Sequence, residues 1–176
     1  MSQETLKVPI GPATVEYGST IFDITKGGVE FEVTTNTKDI TVDQYGDAPI
    51  DTVLKGRICN VMVPFALHDL AKLADAIPNS KYTTDGTKSK LEVYGDAGFR
   101  LLKTAKPLII KPTDPDATAD DWITVPLAAA LGDPKYTFNS DNERVAQLRF
   151  VGYPDTTNKG LLYVLGDETV VEGGAG

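Results

Sequence analysis

At 176 residues, with 41 % hydrophobic and 24 % charged side chains, the chain is one domain long and has enough apolar surface for a core, which excludes wholesale disorder and fibrous repeats. Twenty-five acidic against seventeen basic residues leave a net charge of −8, the wrong sign for a protein that grips nucleic acid through clustered Lys and Arg.

Glycines and prolines cut the sequence into short segments of alternating polarity, the pattern of an antiparallel β-sandwich or barrel. Thr14–Tyr17 and Ile21–Ile24 flank a Gly18-Ser19 turn, and Lys26-Gly27-Gly28 supplies positive-φ positions before Val29–Val33. In that segment Val29, Phe31 and Val33 share one face, and Glu30 and Glu32 the other. Lys38–Val42 reads as a further strand, and Arg57–Val63 as another that Pro64 ends. Between them, Asp43–Gly56 reads as a long loop whose apolar residues Ile50, Val53 and Leu54 need something to pack against.

The 3–4 spacing of Ala66, Leu70, Leu73, Ala74 and Ile77 predicts one α-helix over about 66–77, stopped by Pro78. Lys81–Lys90 reads as a polar loop and Lys90–Tyr94 as a strand; Phe99–Ile110 reads as one or two strands broken near Pro107. Pro112–Asp121 is an acidic connector and Trp122–Val125 a strand; Pro126–Leu131, before Gly132, has the Pro-first, Gly-after signature of a short helix. Val145–Val151 and Leu161–Leu165 are read as a closing hairpin with a long loop. The expected fold is therefore mainly β: an antiparallel sandwich or barrel with one flanking helix and long loops, in a single domain spanning 1–176 with flexible ends at 1–8 and 172–176.

The inventory for catalysis is thin. One cysteine, Cys59, lies on the apolar face of its strand, as a core residue does, and the one histidine, His68, has no triad motif around it. Gly18-Ser19 lacks the second glycine of a nucleophile elbow, and Gly27-Gly28 precedes a strand rather than a phosphate-binding helix. Two acidic runs, Asp39/Asp43/Asp47/Asp51 and Asp114/Asp116/Asp120/Asp121, are the only metal candidates. Neither has the spacing of a calcium loop, so they read as solvated acids. No metal site, cofactor or enzymatic activity is expected. The apolar runs fall far short of the roughly 20 residues a membrane helix needs, and residues 1–7 lack the features of a signal peptide, which points to synthesis in a cytosol.

In the order of its segments the chain resembles the major tail tube proteins of tailed bacteriophages, which are similar to the tube proteins of contractile injection machines. The stretches that carry the resemblance are Ala13–Val29, Asp39–Asp51, the strand into Val63-Pro64, and Leu148–Asp155. It implies a structural virion protein, made in the host bacterial cytoplasm, whose hexameric rings stack into a hollow tube that passes DNA without binding it specifically. Its implied partners are further copies of itself, with tail sheath, tape-measure, baseplate and tail terminator proteins. On this reading Tyr45, Ile50, Val53 and Leu54 form an inter-ring contact loop, and the acids Glu16, Asp23, Glu30 and Glu32 face the lumen. The alternatives are a monomeric β-sandwich module that binds carbohydrate or calcium, and a head-tail joining or decoration protein.

Overall fold

The computed structural model describes residue 8 and residues 10–173; the chain ends expected to be flexible fall largely outside this range. Among the described residues ten strands and one α-helix follow in order: β1 (Ala13–Tyr17), β2 (Thr20–Phe22), β3 (Glu30–Thr41), β4 (Pro49–Phe65), α1 (Leu70–Ala76), β5 (Ser80–Thr84), β6 (Ser89–Val93), β7 (Lys106–Pro112), β8 (Ile123–Ala130), β9 (Ala146–Gly152) and β10 (Val164–Leu165). Among the described residues the fold is mainly β, with 45 % strand and 10 % helix, the latter including three 3₁₀ turns. One antiparallel sheet runs β2-β1-β7-β8-β9-β4-β3, with β10 added on β8, and β5–β6 form a separate hairpin.

The ring contacts show that this sheet is curled. β2 and β9 are four strands apart, about 19 Å along a flat sheet, yet the rings of Phe22 and Phe150 lie 6.2 Å apart. Tyr17 of β1 stands 4.9 Å from Phe150, and Phe22 meets Phe65 of β4 edge-on at 5.0 Å. The curl folds one face inward, so alternate residues of each strand fill one core: Val15 and Tyr17, Leu108 and Ile110, Leu148 and Phe150, and Cys59, Val61, Val63 and Phe65. The segment after β2 then returns to the end of β4 through a Thr25–Phe65 bridge.

That bridge explains why Pro64 does not end its strand. Lys26 N donates to Pro64 O at 3.1 Å, so Pro64's own ladder side faces residues 24–26. β3, which begins at Glu30 opposite Met62, has not yet started there. The missing N–H therefore deprives no neighbour, as edge placement of proline requires. Pro126 is tolerated in a similar way. The β7–β8 register shifts between Lys106 and Leu108, so Pro107 lies opposite Pro126 and Leu127 at a bulge. β8 then continues to Ala130, and the helix expected over 126–131 is a strand, because Ala128 and Ala130 fit opposite Gly152 and Phe150 in the core.

The helix is shorter than its apolar spacing suggests. β4 holds the chain extended to Phe65, and Asp69 begins the helix as its N-cap, accepting from Ala71 N at 3.0 Å and Lys72 N at 3.3 Å. Its C-terminus presses on Gly132, which has φ 62°. A Cβ there would stand 2.8 Å from Ile77 Cα and from Pro78 Cδ. Steric exclusion and the left-handed backbone act together, so Gly132→Ala is expected to destabilise the fold by about 2–4 kcal/mol in urea denaturation.

Three further expectations are corrected. The polar loop over 81–90 is mostly a hairpin, β5–β6, which turns at Asp85-Gly86 with Gly86 at φ 96°. Phe99–Ile110 is one strand preceded by a 3₁₀ turn at Leu101–Thr104. The closing segment does not pair with β9: Val164 and Leu165 pair with Thr124 and Ile123 of β8. Both ladder sides of β9 are already occupied, by β8 and β4.

Candidate functional site: the projecting arm

The two strands read over Val29–Val33 and Lys38–Val42 are continuous, the first joining the second as β3, and the expected loop Asp43–Gly56 is mostly strand. Twelve residues of β3 pair with β4 from Glu30–Met62 out to Thr41–Pro49, and the connection contracts to Val42–Ala48. β9 supports β4 only over Cys59–Phe65. From Thr34 and Ile58 outward, the ribbon thus has no third strand and is exposed on both faces, except at Gly56. The eight β3 residues from Thr34 to Thr41 give this arm a length of about 25 Å. A 3₁₀ turn at Asp43–Tyr45, closed by Gly46 at φ 65°, caps the tip.

The arm's side chains follow from two irregularities in register. Lys55 is an extra residue between the Asn36–Gly56 and Thr37–Leu54 pairs, and Ile50 is another between Ile40–Asp51 and Thr41–Pro49. Beyond the first, Leu54 shares the face of Thr37 and Thr52, and Val53 shares the opposite face with Ile40 and Ile58. Both faces therefore carry apolar groups in water: Ile40, Ile50, Val53, Leu54 and Ile58 are roughly half exposed, and Tyr45 at the tip is 69 % exposed. Ile40 and Ile58, which join this set, lie on the face of the ladder that Glu30 and Glu32 begin.

Four carboxylates, Asp39, Asp43, Asp47 and Asp51, lie along the outer arm, and none has an ion pair among the described residues. Asp39 accepts from Thr52 Oγ1 across the ladder at 2.9 Å. Among the described residues no group of three or more His, Cys, Asp or Glu side chains converges as metal ligands.

The four acids assigned to a lumen do not form one cluster. Glu16 sits on the outer face of β1, where Lys111 Nζ stands 2.9 Å from its carboxylate, and Asp23 lies 3.5 Å from Lys72 Nζ. Glu30 and Glu32 share the outer face of β3, opposite Met62 and Asn60.

Cys59 is fully buried in the core. Burial pushes its thiol from 9.0 up to about 11, against a backbone hydrogen bond with Gly152 that pulls the other way. Folding thus holds a proton that the unfolded chain releases. This stabilisation is complete below about pH 9 and is lost as pH rises through about 11. At pH 8 a thiol-specific chromogenic reagent is expected to label Cys59 only as fast as the protein unfolds, so labelling should accelerate across the urea transition. A rate independent of urea would contradict this placement.

Neither the protein-family models nor the curated proteins contain a match to this chain. The arm, with apolar groups and unpaired strand edges held away from the body, is the feature whose exposure most requires a partner.

Proposed function

We propose that the chain is a self-assembling structural subunit, a tail tube protein whose hexameric rings stack into a conduit for DNA. The observation that carries this reading is the arm. A two-stranded ribbon with apolar groups on both faces and free edges is marginal alone in water and invites association. A second copy of the same chain is the partner this reading assigns to it. The arm and the body are different surfaces, so their contact is heterologous, the kind that closes rings or propagates into tubes.

Tyr45, Ile50, Val53 and Leu54 supply the axial contact between rings. Glu30 and Glu32 are the strongest candidates for a lumen that repels phosphate, since screening over about 8 Å leaves only lining charges effective. Glu16 and Asp23, each beside a lysine, contribute less. Sedimentation velocity over a concentration series tests this reading: species of several subunits that grow with concentration are expected, and one monomeric boundary at all concentrations would overturn it.

A further inference from the structure

We infer that the arm tip of one subunit docks into a cleft edged by Arg100 and Lys103 at the opposite end of the next subunit, a contact that rests on the assembly reading above and names its receptor. At that end α1, the β5–β6 hairpin and the 3₁₀ turn at Leu101–Thr104 enclose two adjoining clefts of about 490 and 340 Å³. Ile77, Pro78, Asn79 and Phe99 line both. The smaller is further lined by Val93, Tyr94, Leu101 and Leu131, and Val93, Tyr94 and Phe99 are exposed although apolar or aromatic. Such a surface takes an aromatic ring and an aliphatic side chain, which Tyr45 and Ile50 present at the arm tip.

Charge selects this occupant. Residues 81–106 carry six cations and three carboxylates in a chain that is otherwise strongly acidic, whereas Asp39–Asp51 carries four carboxylates and no cation. The lining also holds Asp75, 3.8 Å from Lys106 Nζ, and Asp96, whereas Arg100 and Lys103 are exposed beside the cleft and have no ion pair among the described residues. Two copies of a −8 protein repel at a distance, so an oppositely charged pair of patches fixes which surfaces can meet.

Geometry makes the contact intermolecular. β4 begins at the arm tip and ends five residues before α1. At about 3.3 Å per residue, its seventeen residues set tip and cleft roughly 50 Å apart. An arm therefore cannot fill its own cleft, and tip-to-cleft contacts repeat head to tail along an axis.

Charge swaps test the pairing. Asp43→Lys with Asp47→Lys reverses the charge of the tip turn 42–48, Arg100→Glu with Lys103→Glu reverses the pair beside the cleft, and all four positions are exposed. In sedimentation velocity each reversal alone is expected to weaken association about tenfold or more, and a chain carrying both to recover to within about threefold of the unmodified protein. Circular dichroism melts unchanged by each swap establish that folding is intact. If the unmodified chain associates and the combined swap recovers nothing, the tip-to-cleft pairing is wrong and the assembly reading stands. A strictly monomeric unmodified chain overturns both.

Discussion

Phe150→Ala is expected to lower the unfolding free energy by about 3–5 kcal/mol, a large share of the roughly 5–15 kcal/mol that holds a domain folded. Phe150 is fully buried on β9, and its ring joins parts of the sheet that are distant in sequence: Tyr17 of β1 at 4.9 Å and Phe22 of β2 at 6.2 Å. Removing it takes away the transfer energy of the ring and leaves a cavity at the centre of the curl, which the flanking strands cannot close without breaking register. Arg149→Ala, one residue away and exposed, serves as the control and should stay within about 0.5 kcal/mol. Urea denaturation of both variants checks the contrast. A loss under about 1 kcal/mol for Phe150→Ala would mean that the curl is held elsewhere.

Val53→Asp combined with Leu54→Asp is expected to weaken self-association at least about 100-fold, equivalent to about 2.7 kcal/mol, while the folded subunit keeps its melting temperature to within a few degrees. The two side chains point to opposite faces of the arm and are each about half exposed, so the core loses nothing. Their remaining apolar surface is worth on the order of 1 kcal/mol each on burial, and a carboxylate placed in an apolar contact adds a desolvation penalty. The separation of effects is diagnostic. Sedimentation velocity reads the association and thermal melting reads the fold; if both fall together, the arm serves the subunit's own stability rather than a partner.

The parts of the fold legible in the sequence were those set by strict alternation and turn chemistry. Val29–Val33 and Arg57–Val63 have the predicted inward faces, because a half-buried strand must alternate, and Gly27 and Gly28 hold the positive φ angles expected of them. Prolines misled. Pro64 and Pro126 read as boundaries, yet both lie within strands, since whether a proline harms a ladder depends on the neighbouring strand that its nitrogen faces. That neighbour is set by tertiary pairing. The closing hairpin failed for the same reason, as nothing local in Leu161–Leu165 announces that β8 is its partner.

The candidate site was half legible. Apolar residues in a polar stretch marked Ile50, Val53 and Leu54 as needing a partner, and all three are exposed. Their setting as an extended ribbon was hidden because Thr34–Thr41 is exposed on both faces and so shows no hydrophobic period to read. The cleft was invisible in the sequence, since it brings together α1, a hairpin and a 3₁₀ turn through packing alone.

Negative-stain electron microscopy of the concentrated protein tests the central claim most directly. The account predicts rings with a central opening and stacks of them with a regular axial repeat, and their disappearance in the Val53→Asp/Leu54→Asp variant. Fields of single compact particles at every concentration, with the arm intact, would contradict it.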